Sequence, residues 1–402
     1  MAQLIVEGGR RLNGAVHIHG AKNSALPILA ATLLAHGVCE IENCPALSDV
    51  RAATAILRHL GCTIRHEGSC VSVDATALCR SDIPDELMRE MRSSIVFLGA
   101  IAARTGEAEL SFPGGCELGP RPIDLHLSAL RQLGLHIDEQ GGKLRCRVKR
   151  RLTGCSITLS FPSVGATENI LLAAATAEGT TAIHNAAREP EIVDLCAFLT
   201  ACGARISGAG ESTIFIEGVE RLSGCRHRVI PDRIETVTYM GAAAVTGGSL
   251  LLRGACPKHL QAVIPLFEEA GCSVSLWDDE MLVSAPPRLR RIKTVRTLPY
   301  PGFPTDAQAL LMAMACVADG TSVFVETIFE SRYKHVGELM RLGARIKVEG
   351  RVAVVEGVPP LSGAPVQCPD LRGGAALVLA GLAAQGTTVI GETFHLERGY
   401  EA

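Results

Sequence analysis

The sequence predicts an α/β protein of two internally symmetric domains, and a repeat of about seventy residues is the observation behind that prediction. An Ala/Leu-rich run that ends in glycine and passes into a β-branched stretch recurs six times: LPILAATLLAHGVCEI, IVFLGAIAARTGEAEL, ILLAAATAEGTTAI, YMGAAAVTGGSLLL, LLMAMACVADGTSVFV and LVLAGLAAQGTTVI. The glycines are Gly37, Gly106, Gly179, Gly247, Gly320 and Gly386, spaced by 69, 73, 68, 73 and 66 residues. Glycine suits a helix C-terminus because it adopts the left-handed backbone without strain. A second signature of short helix, glycine and alternating strand follows in AILRHLGCTI, ALRQLGLHI, FLTACGARI, LFEEAGCSV and ELMRLGARI. Each unit therefore reads strand–helix–strand–helix–strand. A unit of that size cannot bury its own faces, so the six are expected to group as three plus three.

The first domain is expected over residues 22–230 and the second over residues 231–402, with residues 1–21 completing the second. The crossing falls near Ile230-Pro231-Asp232, and no Ser/Gly linker separates the halves. Six full units would take roughly 420 residues, and the chain has 402. The sixth copy of the second signature would follow Tyr400, so the last unit is expected to be truncated, short of a helix and a strand.

Composition narrows the function. A hydrophobic share of 47% with 20% charged residues fits a globular chain rather than a disordered one. A formal net charge of −3 supplies no basic field, and 4% aromatics leave few stacking platforms, so no nucleic-acid partner is expected. The longest apolar runs, residues 25–35 and 375–384, are about half of a membrane span. Met1 leads directly into strand-like Leu4-Ile5-Val6 without a signal-peptide pattern. A soluble cytoplasmic chain with no membrane partner is the expectation.

The fifteen cysteines contain no C-x-x-C, and the closest spacings are Cys39 to Cys44 and Cys196 to Cys202. The twelve histidines show no H-x-x-x-H. No metal site is expected, and most cysteines read as small buried hydrophobes. The chain has no Walker or Rossmann glycine pattern, which argues against ATP or NAD as cofactor.

Polar residues collect at the unit junctions. Before the six Ala/Leu helices stand Gly20-Ala21-Lys22-Asn23-Ser24, Arg89-Glu90-Met91-Arg92-Ser93-Ser94, Pro162-Ser163-Val164-Gly165-Ala166-Thr167, Pro231-Asp232-Arg233-Ile234-Glu235, Pro301-Gly302-Phe303-Pro304-Thr305-Asp306 and Pro369-Asp370-Leu371-Arg372-Gly373-Gly374. Taken singly these are capping sequences. Taken together, six helix N-termini that point one way would form an anion trap, deepened by Lys22, Arg92, Arg233 and Arg372. A second ring of Arg121, Arg188, Lys258, Arg332 and Arg398 adds cationic forks suited to carboxylate and phosphate. The residues alone thus predict an interdomain cleft for a ligand with several negative charges. Phe112-Pro113-Gly114-Gly115-Cys116 is the exceptional member, a thiol on a glycine-rich loop near Arg121, where positive charge favours reactive thiolate. Asp306 reads either as a helix cap or as a general base. The basic runs at residues 145–151 and 288–293 read as solvated faces.

With these motifs in place the chain resembles the UDP-N-acetylglucosamine 1-carboxyvinyltransferases, the enolpyruvyl transferases of bacterial peptidoglycan synthesis. The resemblance runs from about residue 5 to Tyr400, through GAKNSALPILAATLLA, MRSSIVFLGA, PGGCELGPRPIDLHL, PSVGATENILLAAA, NAAREPEIVDL, IPDRIET, PGFPTDAQA, PDLRGGAALVLAGLAAQGTTVI and LERGYE. It implies the two-domain inside-out α/β barrel, with the active site in the cleft between domains.

The resemblance also implies transfer of the enolpyruvyl group of phosphoenolpyruvate to the 3′-hydroxyl of UDP-N-acetylglucosamine, with release of phosphate and no cofactor. Lys22 and Asn23 would meet phosphoenolpyruvate; Arg121 and Arg398 would hold its phosphate and carboxylate, with Arg372 beside them. Arg92, Arg121, Pro122, Ile123, Asp124, Leu125, Ser163, Val164, Gly165, Asp306 and Ile328 would line the sugar-nucleotide site. Cys116 takes the general-acid role and, in this family, can also hold a covalent adduct. Asp306 would take the hydroxyl proton, while Lys22 and Arg398 would meet the charge on the departing phosphate. The domains and the Cys116 loop are expected to close over bound sugar nucleotide. One departure is Phe161, where some members carry a lysine. The same fold also serves shikimate-pathway enolpyruvyl transfer and would serve a catalytically silent paralogue. PGGC and RPIDLHL favour the sugar-nucleotide chemistry.

Overall fold

A computed structural model describes residues 3–112 and 123–401 of the chain. They fall into two compact units, one running from Gly20 to Ile230 and the other joining the stretch up to His19 with the chain from Pro231 onward.

Each unit repeats one motif, and the motif has one strand more than the sequence reading gave it. The stretch after the second glycine folds back as a hairpin instead of running on as a single strand. In ARISGAGESTIFIEG the turn comes at Gly208 and Gly210, with φ of 78° and 85°, values that residues with a Cβ rarely adopt. Arg205–Ser207 then pairs antiparallel with Thr213–Glu217, which pairs antiparallel with Thr180–His184. Ser156–Thr158 completes the sheet by lying parallel to Thr180–His184. The same four-strand order recurs in Asp82–Ile83, Glu107–Ser111, Lys143–Val148 and Leu135–Gln140, and in Thr294–Arg296, Thr321–Val325, Val352–Glu356 and Arg345–Glu349. The glycines of both signatures sit at positive φ, from 63° at Gly247 to 137° at Gly37.

Each unit closes on itself by borrowing a strand. Arg226–Arg228 lies parallel to Val38–Glu42 and supplies the first strand of the Lys22 repeat. Asn13–His17 does the same for the Arg233 repeat by lying parallel to Ser249–Arg253. In the sixth repeat Pro365–Gln367 and Thr387–Gly391 run parallel, and Leu4–Glu7 pairs antiparallel with Thr387–Gly391. Leu4–Glu7 holds the position that a hairpin strand holds in the other repeats, so Thr387–Gly391 is not left as an open edge. A 3₁₀ turn, Thr393–Arg398, stands where the other repeats place their second helix.

The six Ala/Leu runs form the inner helices. Arg233–Thr246, Thr305–Cys316 and Leu371–Ala383 pack against one another in one unit. In the other, Phe97–Thr105 touches both Lys22–Ala31 and Val164–Ala174. These helices are buried nearly all round, as expected of segments with no polar stripe. The strands instead alternate buried and exposed residues and face solvent on one side. Helices inside and sheets outside make this an inside-out α/β architecture. Among the described residues no helix is long and apolar enough to cross a membrane.

The Leu4–Glu7 strand gives a direct test of this assembly. Val6 is 7% exposed and packs into the core, whereas Ile5 is 64% exposed on the same strand. Val6→Asp buries an unpaired carboxylate and should cost about 3 kcal/mol, read as a drop in the thermal unfolding midpoint. Ile5→Asp should stay within about 0.5 kcal/mol of the parent chain.

Candidate active site

Asp306 lies in the first turn of the Thr305–Cys316 helix, one position past Thr305, and it does not cap that helix. Pro304 is the capping position, and the carboxylate is engaged elsewhere. Arg332 donates from Nη2 to Oδ1 at 2.8 Å, and Arg372 donates from Nη2 to Oδ2 at 3.2 Å. The two arginine side chains are 3% and 5% exposed and that of Asp306 is 30% exposed, so the carboxylate is gripped from its buried side. Burial works against the charge of Arg372, but Asp306, Tyr400 and Asp232 hold its pKa above the usual value. Arg332 also donates to the Thr305 carbonyl at 3.1 Å, which ties the clamp to the helix end.

The neighbouring helix ends are built from carboxylates. Asp370 Oδ1 accepts from the Arg372 and Gly373 amides at 2.9 and 3.0 Å. Asp232 Oδ1 accepts from the Ile234 and Glu235 amides at 2.7 and 3.0 Å. Both satisfy otherwise orphaned N–H groups and complement the positive helix end. Arg398 ends the Thr393–Arg398 turn. Leu396 packs by Gly374 and Gly399 by Leu371, so the turn is seated on the first residues of the Leu371–Ala383 helix. Ile328 is placed by Glu326, a buried carboxylate that sequence reasoning missed. Its Oε1 accepts from the Ile328 amide at 2.8 Å and the Phe329 amide at 3.1 Å, and its Oε2 accepts from Thr305 Oγ1 at 2.9 Å. The glutamate thus joins the Ile328 loop to the residue before Asp306.

In the Gly20–Ile230 unit, Lys22 begins the Lys22–Ala31 helix and is buried, with Nζ 3.2 Å from Asp49 Oδ2. A buried ammonium at a helix N-terminus opposes the helix dipole, and the Asp49 carboxylate supplies the compensation. Asn23 follows, half-buried. Ser24 donates to Asp194, whose carboxylate also meets His227 Nε2 at 2.9 Å and the Ile230 amide at 3.3 Å. That network fixes the Lys22 helix to the strand that closes the unit.

Ser163 caps the Val164–Ala174 helix by accepting from the Ala166 amide. Gly165 in its first turn is required by contact, because a Cβ there would stand 2.8 Å from His126 Cε1. Ile123, Asp124 and Leu125 open the Asp124–Gln132 helix that carries His126. The structure therefore brings Ser163–Gly165 and Ile123–Leu125 together across the imidazole. Asn169, also missed from the sequence, sets that imidazole. Its Oδ1 accepts from the Gly99 amide at 2.8 Å, so its Nδ2 must donate, and it does so to the Ile95 carbonyl and to His126 Nδ1. Burial pushes the His126 pKa down to about 4, only partly offset by Asp124. The neutral ring accepts at Nδ1 and carries its proton on Nε2, beside Gly165. The polar Glu168-Asn169 pair inside an otherwise apolar run was the available sequence signal.

Other expected positions fall differently. Arg188 of the second ring donates to the Gly210 carbonyl at 2.9 Å and braces a hairpin. Lys258 is exposed on the Pro257–Leu260 turn. Cys116, Arg121 and Pro122 lie outside the described residues, and for Arg92 the backbone alone is described, at the start of the Arg92–Val96 turn. Phe161 is exposed just before Ser163.

Comparison with known proteins gives consistent results. The family model described as EPSP synthase (3-phosphoshikimate 1-carboxyvinyltransferase) matches residues 6–402. UDP-N-acetylglucosamine 1-carboxyvinyltransferase 2 of Caldanaerobacter subterraneus subsp. tengcongensis is 51% identical over 402 residues, covering 100% of this chain and 96% of that protein. UDP-N-acetylglucosamine 1-carboxyvinyltransferase of Dichelobacter nodosus is 50% identical over 403 residues, with the same coverage of 100% and 96%. Among solved structures, the enolpyruvyl transferase NikO from Streptomyces tendae superposes with a TM-score of 0.90 at 29% identity, covering 99% of this chain and 95% of that one. EPSP synthase from Acinetobacter baumannii shares the fold, with a TM-score of 0.74 at 19% identity over 98% of this chain and 95% of that one.

Glu168, buried on the Val164–Ala174 helix, gives a pH test of the site's interior. Burial, then Glu191 and Glu189, raise its pKa to about 8, against about 4.3 in an unfolded chain. Between those values the folded state binds the extra proton, so the stabilisation is complete below the lower one and is lost as pH rises through the upper one. Denaturant unfolding should show stability falling from about pH 5 to pH 8, by at most about 1.4 kcal/mol per unit. Glu168→Gln should flatten that decline.

Proposed function

The chain belongs to the enolpyruvyl transferase family of EPSP-synthase type, and from that membership we propose that it transfers the enolpyruvyl group of phosphoenolpyruvate to the 3′-hydroxyl of UDP-N-acetylglucosamine, releasing phosphate. The observation that carries the choice of acceptor is the roughly half-identical match, over the full chain, to proteins bearing that name. Likeness to the shikimate-pathway enzyme's structure extends to the fold alone.

A proton reaches C3 of phosphoenolpyruvate from Cys116 while the sugar hydroxyl oxygen bonds to C2, giving up its proton to Asp306. Loss of a C3 proton then restores the double bond as the C2–O bond to phosphate breaks, and inorganic phosphate leaves. Carbon undergoes no net redox change and the phosphate ester supplies the leaving group, so the chemistry calls for no cofactor. An acid and a base of this kind are each worth about 10²–10⁴ in rate. Lys22, Arg121, Arg372 and Arg398 meet the phosphate and carboxylate charges, with Asn23 beside them, and prepositioned charge of this kind is a large part of such catalysis. The Arg332–Asp306–Arg372 clamp supports the base role, because it fixes both oxygens of a carboxylate whose side chain is still 30% exposed. Arg92, Arg121, Pro122, Ile123, Asp124, Leu125, Ser163, Val164, Gly165, Asp306 and Ile328 would hold the nucleotide sugar. The product commits the sugar nucleotide to peptidoglycan, which makes this a cytoplasmic enzyme of cell-wall synthesis, tied to cell shape and division, with small-molecule partners.

Mixing the protein with phosphoenolpyruvate and UDP-N-acetylglucosamine should release phosphate, and shikimate 3-phosphate in place of the sugar nucleotide should not. Release with shikimate 3-phosphate alone, or silence from a folded protein, would overturn the assignment. Asp306→Asn should lower kcat by about 10²–10⁴. Cys116→Ala should abolish turnover near neutral pH while calorimetry still detects sugar-nucleotide binding. An epoxide resembling phosphoenolpyruvate should add to Cys116, faster with sugar nucleotide present; labelling elsewhere with activity retained removes Cys116 from the mechanism.

A further inference from the structure

Three cysteines with no shared sequence motif meet inside the Gly20–Ile230 unit. Cys39 lies in the Val38–Glu42 strand, Cys202 caps the end of the Pro190–Ala201 helix, and Cys225 precedes the Arg226–Arg228 strand. Their three sulfurs all lie within 4.8 Å of one another, and the Sγ atoms of Cys202 and Cys225 are 3.3 Å apart. Cys39 and Cys202 are buried and Cys225 is half-buried, which leaves one side of the triangle reachable.

Backbone bonds pin all three positions. The Glu40 amide donates to the Cys225 carbonyl at 2.8 Å, and Arg226 pairs with Glu40 in parallel register, setting Cys225 level with Cys39. The Ser223 amide donates to the Cys202 carbonyl at 2.8 Å. The sulfurs are therefore delivered by a strand, a helix end and the returning strand, and none depends on a long side chain finding its place.

We propose that Cys39, Cys202 and Cys225 form a binding site for a single thiophilic metal ion of the zinc or copper(I) class. An ion about 2.3 Å from each of three sulfurs places those sulfurs about 4 Å apart, inside the spacing seen here. The donor set is sulfur throughout. Such a set selects soft or borderline ions and disfavours magnesium, calcium and manganese. As each S–M bond forms, the thiol proton passes to solvent. No electron changes hands, and the metal keeps its charge. The ion would hold the first and third repeats of the unit to the strand that closes them, so it would act on the stability of that closure. The proposal is independent of which acceptor the enzyme uses.

The test uses the full chain, reduced and stripped of metal, with cadmium as the probe. One equivalent should bind with a sulfur-to-metal charge-transfer band in the ultraviolet and raise the thermal unfolding midpoint. X-ray absorption at the cadmium edge should then find three sulfur neighbours. Cys39→Ser and Cys225→Ser should each lose the band and the midpoint shift. A first shell of nitrogen or oxygen, or a band of undiminished stoichiometry in both variants, would overturn the proposal. So would failure of the reduced protein to bind cadmium together with a mass loss of two hydrogens mapped to a Cys202–Cys225 disulfide. Should either variant fail to fold, the sulfur count on the unmodified chain decides the matter.

Discussion

A helix that is apolar on every side can offer only its ends to solvent, and the rest of this structure follows from that constraint. The six Ala/Leu helices have no polar stripe, so each must be walled in by neighbours and by a sheet. A single repeat covers one face only. Three repeats per unit, with a borrowed strand to complete the first, cover the remainder. Polar side chains then accumulate at the N-terminal turns, where unsatisfied amides already favour negative charge, and the buried Glu168 and Asn169 in the middle of the Val164–Ala174 helix are exceptions. Lys22, Ser163, Asp232, Asp306 and Asp370 all stand at such turns.

Charges placed at those ends are half sunk in the core, and an isolated charge there is costly. The observed solutions are reciprocal. Lys22 has Asp49, Asp306 has Arg332 and Arg372, and Glu326 uses both oxygens on hydroxyls and amides. Glu168 has two carboxylates as neighbours and resolves the conflict by holding its proton. His126 resolves its burial by staying neutral, with Asn169 dictating which nitrogen carries hydrogen. The same desolvation that makes these groups expensive fixes their orientation, since each has few alternative partners.

How much of this was legible beforehand depended on range. The repeat and its glycines are local patterns of period and punctuation, and the backbone keeps them. The junctions were legible as capping sequences, and Asp232, Asp370 and Ser163 do cap. Asp306 looked the same on the page and is not a cap, because Arg332 lies 26 residues further on and Arg372 lies 66 residues further on. Arg188 read as a rim charge because nothing local reveals the Gly210 carbonyl it braces. The extra hairpin strand was hidden because an alternating run looks alike whether it continues or turns back, and Gly208 and Gly210 were the signal that separated the cases.

The cysteines show the same limit from the other side. Ligand spacing rules describe sites formed by one short loop or hairpin, where the donors are close in sequence because they are close in space. Closing a ring of repeats brings the start and end of a unit into register, and it therefore makes neighbours of residues 39 and 225 that no spacing rule would pair. A domain that closes by borrowing a strand has such a seam, and contact between side chains across it requires the returning strand to be in place. Cys39, Cys202 and Cys225 are at that seam, and so are Asn43 and Asp194, which hold the returning stretch at Val229, His227 and Ile230. The seam thus carries both a polar lock and a sulfur cluster. The helix that the lock grips through Ser24 is the one that begins at Lys22, so closing the unit and positioning a principal cation of the candidate site are one and the same structural act.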